Sequence, residues 1–182
     1  MFSTEATTLH LYGMYHDVLR DPHGTAIWDS GWRKNTIVVD CRRLLAGFMH
    51  GAPTGTLGLQ GLQVGAGDPA WDQTGPPLPD GTQTALVDHN PFTVPRASLQ
   101  INYLTGTGST VSGTPTNRIQ IVAQLGPNVP TWPDANHPVS TLREFGLVGQ
   151  LDSTTVLINY VRHLAIVKDP ASTLVRTIWL VF

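Results

Sequence analysis

Residues 141–182 read TLREFGLVGQLDSTTVLINYVRHLAIVKDPASTLVRTIWLVF. Three strand-like runs lie in this stretch, at Thr141 to Leu151, Thr155 to His163 and Ser172 to Phe182. The last run alternates. Leu174, Ile178, Leu180 and Phe182 share a parity with Arg176, while Thr173, Val175, Thr177, Trp179 and Val181 take the other. Both faces are mostly apolar, and such a strand calls for cover on both sides. It predicts a strand held by its own core on one face and by more protein on the other, with Phe182 buried in the core or in a subunit contact. The stretch carries no catalytic pattern and reads as a part built into a larger assembly.

Working outward, the chain has 182 residues, enough for one domain without disulfide staples. Its net charge is −2, and only 13% of its residues are charged, against about 25% in an average domain. With 18 Gly and 14 Pro, this predicts surface covered by other subunits or dominated by long neutral loops. No basic stripe is present to neutralise phosphates, which argues against nucleic acid as the main partner. Cys41 is the only cysteine, so neither an intrachain disulfide nor a cysteine-based zinc site is expected. The first residues lack a basic and apolar leader, and no run reaches the ~18 apolar residues of a membrane span. Synthesis in the cytosol without standard secretion or membrane insertion is the expectation.

Residues 7–20 are strand-like. Asp21-Pro22-His23-Gly24 is a strong turn and Thr25 to Trp32 returns, which predicts an N-terminal hairpin over 1–32. Asn35 and Thr36 are good helix caps, and Ile37, Val38, Cys41, Leu44, Leu45, Phe48 and Met49 recur at helical spacing. His50 suits the negative end of the helix dipole, and Gly51 followed by Pro53 is a stop. The spacing predicts one amphipathic helix over about 36–49, packed on a sheet. Leu57 to Val64, Ser98 to Leu104 and Arg118 to Leu125 read as strands. Ala85 to Asp88 and Phe92 to Val94 read as shorter ones. A long loop rich in Gly, Pro and Asp runs from 66 to about 84, and loops of that length are often contact loops; Thr105 to Thr116 reads as a polar Gly/Thr/Ser hairpin tip, and Gly126 to Pro138 as another Pro-rich loop. The expected fold is mainly β (α+β): a single antiparallel β-sandwich-like domain over 1–182, a helix plus β core over 33–182 following the hairpin.

Signals for chemistry are weak. Seven histidines, at positions 10, 16, 23, 50, 89, 137 and 163, form no metal-ligand spacing. Asp68, Asp72, Asp80 and Asp88 match no calcium loop and read as turn formers. Gly65-Ala66-Gly67 ends a strand, but Pro69 spoils the helix start that a phosphate site needs. Glu144 reads as a paired structural acid, with Arg143, Arg162 or Arg176 as partner. Loop tryptophans such as Trp71 and Trp132 either stack on a sugar or a protein neighbour, or fold back on their own core.

One resemblance spans residues 33–182. Lys34-Asn35-Thr36-Ile37-Val38 opens a helix that runs to Leu44-Leu45-Ala46-Gly47, and Val64-Gly65-Ala66-Gly67 ends a strand. Thr84-Ala85-Leu86-Val87-Asp88 follows, then Thr141-Leu142-Arg143-Glu144-Phe145-Gly146-Leu147. Asn159-Tyr160-Val161-Arg162, Ile166-Val167-Lys168 and Leu174-Val175-Arg176-Thr177-Ile178 complete the series. This order resembles structural proteins of tailed-bacteriophage tails and related contractile injection particles. The long loop from Asp68 to Thr84 and the N-terminal hairpin depart from that pattern. The resemblance implies a non-enzymatic subunit of a baseplate, collar, tail terminus or fibre attachment, found in the virion or an extracellular particle. It implies contacts with other copies of itself and with other particle proteins, and it supplies no catalytic residue, metal or cofactor. Trp71, Trp132, Trp179 and Phe182 are the candidate subunit-contact residues. The alternative is a module that recognises a host-surface glycan through loop aromatics.

Overall fold

The computed structural model describes residues 11–51, 54–106 and 108–182. The fold is mainly β. Its strands are β1 (Tyr12–Arg20), β2 (Ala26–Asp29), β3 (Arg33–Ile37), β4 (Leu57–Gly65), β5 (Phe92–Pro95), β6 (Leu99–Leu104), β7 (Val111–Ser112), β8 (Arg118–Leu125), β9 (Thr141–Leu151), β10 (Thr154–Leu157), β11 (Asn159–Val167) and β12 (Thr173–Val181). Helix α1 (Val39–His50) and the single turn α2 (Trp71–Thr74) complete the elements used below. All strand pairs are antiparallel, in one sheet ordered β5-β4-β9-β11-β3-β1-β12-β8-β6-β7, with β10 on β9 and β2 on β1.

A twisted sheet of this many strands buries its apolar face by curling on itself. The curl makes two layers joined through β3, which pairs with β1 on one side and β11 on the other. Tyr15 of β1 meets Phe145 of β9 edge to face across the interior, with ring centroids 5.2 Å apart. Ile121, Leu125, Leu174 and Ile178 of one layer join Leu62, Val64, Leu142 and Leu147 of the other in one core. The expected β-sandwich-like domain with one helix is therefore observed.

Strand β12 pairs along its whole length with β1 and β8. Leu174, Arg176, Ile178 and Leu180 point inward and are buried, while Thr173, Val175, Thr177, Trp179 and Val181 are half-buried outside. The sequence predicts cover on both faces. Among the described residues, the inner face is buried and the outer face is half-buried. It is β9 that is enclosed on both sides: Val38, Leu86, Leu157 and Tyr160 pack with Val148 in a second, smaller core.

The structure corrects several boundaries. The helix begins at Val39, not residue 36, because Asn35 and Thr36 pair with Gly13 and Tyr160 in β3. Thr36, Ile37 and Val38 are β-branched, so the extended form suits them, and the sheet takes them before the helix can. Val38 then donates its N–H to Ile158 O and Val39 to Gly81 O. The helix end is as expected: Gly51 has φ 123° and its N–H closes on Gly47 O and Phe48 O. Cys41 and Leu44 are buried against the β9 side of the sheet, whereas Leu45, Phe48 and Met49 are exposed, Met49 at 89%. The N-terminal run is the central strand β1 as well as one arm of a hairpin; its residues 7–10 lie outside the described residues. Ala85 to Asp88 is not a strand, and the run at 155–163 is divided between β10 and β11 at Ile158.

Candidate functional site

Among the described residues, the outer face of β12 and its neighbours β1 and β8 is half-buried along most of its length. Alternation on β1 sends Tyr12, Met14, His16 and Val18 outward, while Gly13, Tyr15, Asp17 and Leu19 are buried. The register sets Met14 beside Trp179, His16 beside Thr177 and Val18 beside Val175. On the other flank, Gln120 lies beside Trp179 and Val122 beside Thr177. This face carries a file of rings. His16 lies 5.3 Å from Trp32, and Trp32 lies 4.1 Å from Trp179, centroid to centroid. The Arg118 guanidinium sits 5.1 Å over the Trp179 ring. Trp32 is 42% exposed, and Trp28, Ile27 and Tyr12 are exposed as well. Rigid aromatic rings of this kind offer large contact area at small entropic cost. His16 is fixed by a 2.7 Å contact from Nε2 to Asp29 Oδ1. The Gly31 N–H and then His16 hold the exposed Asp29 carboxyl below its ordinary value.

Of the four residues expected at a contact, only Trp179 lies in this file. Trp71 and Trp132 are each 6% exposed and are spent on the chain's own interior. Trp71 lies under the Arg162 guanidinium at 5.3 Å, and a side chain at Gly67 would collide with its ring. Trp132 stacks on His137 at 3.9 Å and 20°. The loops thus fold back as lids, which leaves these two rings little surface to offer a partner. The same burial leaves neither ring with an open face on which a sugar could stack. Phe182 is 38% exposed, so it is not part of the core; its N–H donates to Asn117 O, and Asn117 Nδ2 donates to Phe182 O. Trp32 and His16 were not singled out. The outward parity of β1 marks His16, whereas Trp32 lies between β2 and β3, and only the strand pairing and the ring contacts place the two on one face.

The buried polar groups hold loops in place. Glu144 is fully buried, and its carboxylate accepts the N–H groups of Val87 and Asp88 at 3.0 and 2.6 Å and the Tyr160 hydroxyl. Arg162 reaches that hydroxyl and Gln83, so Glu144 has no direct arginine partner, contrary to expectation. Burial, together with Glu144, pushes the Tyr160 hydroxyl above its ordinary value. Arg143 instead forms a two-pronged pair with Asp72 at 2.8 and 2.7 Å and donates to Ala66 O. Asp88 accepts from Ala66 N–H and meets His137 Nε2 at 3.0 Å, while His137 Nδ1 meets Asp134 at 2.8 Å. These bonds fasten residues 66–91 and 132–138 onto β9 and β11. Each of these acids is already engaged in hydrogen bonds that tie loop to strand. The Cys41 thiol is buried and raised to about 11, which keeps it protonated and unreactive.

Among the described residues, no group of three or more His, Cys, Asp or Glu is arranged to hold a metal ion. No described helix is long and apolar enough to cross a membrane. Comparison with protein-family models, curated proteins and solved structures finds no match to this chain.

Proposed function

We propose that this chain is a non-enzymatic structural subunit of a bacteriophage tail or phage-tail-like particle, working through contacts with copies of itself and with other particle proteins. The observation that carries the reading is the outer face of β12, where Trp32 and Tyr12 are exposed, Trp179 and Val181 are half-buried, and the Trp32 and Trp179 rings lie 4.1 Å apart. A polypeptide with 13% charged residues has few charges to keep such a face in water, which favours its being covered by protein. The order of motifs from Lys34 to Ile178 adds the particle class to the reading. The polar clusters fit this role because they set loop shape, and a subunit that works by presenting surfaces needs fixed loops.

The test is particle incorporation. Tail-like particles purified from the source cells and analysed by mass spectrometry are expected to contain this chain in fixed ratio to tube or baseplate proteins. Its consistent absence from such particles, with the chain recovered as a free protein, would refute the assignment.

A further inference from the structure

One buried group is unused by this reading. Asp17 of β1 and Arg176 of β12 are directly paired across the strands, and both are fully buried. Arg176 Nε and Nη2 donate to the two Asp17 oxygens at 2.7 and 2.6 Å. The guanidinium lies 3.7 Å over the Phe145 ring of the opposite layer. Its Nη2 also reaches His163 Nε2 of β11 at 3.2 Å. His163 Nδ1 lies 2.8 Å from Leu164 O, and a carbonyl can only accept. The proton is therefore on Nδ1, and Nε2 offers its lone pair to Arg176. Asp17, Arg176 and His163 thus form a continuous polar chain from one layer to the other.

We propose that this chain is an acid-labile clasp between the two layers, opened when His163 gains a proton. A second proton on the ring would set Nε2–H against the Arg176 N–H at 3.2 Å, so the interlayer hydrogen bond is lost and donor faces donor. The charges around the ring do not absorb the added cation. Arg176 and, more remotely, Arg33 of β3 repel it. Asp17 is the carboxylate that attracts it, and both its oxygens are already held by Arg176. Tyr15 of β1, which shares the Asp17, Arg176 and Arg33 surroundings, is held above its ordinary value first by burial. From β9 the Phe145 ring lies 6.1 Å from it, centroid to centroid. Among the described residues, Arg176 Nη1 is buried with no acceptor facing it. The bulge gives a way to yield: His163, Leu164 and Ala165 fall outside the β11–β9 register, and Leu164 is exposed.

The sign follows from burial. Burial, then Arg176, lowers His163 from 6.5 to about 4. The unfolded chain takes up its proton near pH 6.5, so the stability is present above that value and is lost as pH falls towards 4. The clasp is a property of the fold and holds whichever particle the chain serves.

The test compares denaturant midpoints of the wild type and His163→Gln between pH 7.5 and 4. Glutamine can accept from Arg176 and does not titrate. The wild type is expected to lose on the order of a hundredfold in its folding equilibrium across pH 6.5 to 4, beyond any loss in the variant. Parallel curves for the two proteins would overturn the proposal. If the variant does not fold, NMR titration of the His163 ring in the native wild type decides. A neutral ring down to about pH 5 supports the clasp, and titration near 6.5 in the folded protein overturns it.

Discussion

Arg176 stands on the strand parity that Leu174, Ile178 and Leu180 make apolar, and Asp17 interrupts Tyr15 and Leu19 in the same way. Each alone is a charge misplaced on a buried face, and the register turns them into a pair. Breaking a buried pair from one side leaves the other charge stranded. Asp17→Ala is therefore expected to cost about 3–5 kcal/mol in equilibrium unfolding, and Arg176→Met a similar amount. Asp17→Leu combined with Arg176→Met should recover most of that loss. Equal or greater destabilisation in the double variant would show that the pair itself stabilises the fold. Both anomalies were visible in the sequence, but matching them across 159 positions requires the strand order. Glu144 shows the same limit: its buried structural role was legible, whereas its partners are backbone groups of a distant loop that residue type does not encode.

At the level of elements, helix α1 and β3 divide a segment that local signals give wholly to the helix. Caps at Asn35 and Thr36 are local preferences of about 1 kcal/mol, and pairing with both β1 and β11 outweighs them. The end of the helix has no such competitor, so Gly51 stops it as its sequence says. Gly51→Ala, at φ 123°, is expected to cost about 1 kcal/mol or slightly more. Leu44→Ala, which empties a buried site beside Gly149, is expected to cost about 2–5 kcal/mol. Met49→Ser should change the unfolding midpoint little, since that side chain is 89% exposed. A large effect at Met49 with none at Leu44 would mean that the helix packs by its other face. Strands β4, β8, β9 and β12 were legible because alternation or continuous apolar runs mark them. The return of β3 into the sheet and the splitting of β10 from β11 were not, because both depend on partners far away in the chain.

For the whole molecule, one curled sheet has an inside that is full and an outside that differs from region to region. The β9 side is covered by Val38, Leu86, Leu157 and Tyr160, which pack with Val148, and by the loop that carries Leu86. The β12 side is left with Trp32, Trp179, Tyr12 and Val122 in the open or half-open. Composition foretold a surface poor in charge, and parity foretold that β12 is apolar on both faces. Neither indicated which loop tryptophans would fold inward, because a lid and an anchor have the same local sequence. The central claim is that the outer β1–β12–β8 face is a subunit contact. Light scattering across a concentration series tests it most directly, on the wild type and on Trp32→Ser combined with Trp179→Thr. The account predicts that the wild type reaches a multiple of 19.7 kDa while the folded variant stays at 19.7 kDa. A wild type that remains at 19.7 kDa at every concentration, or a variant that associates equally well, would contradict it.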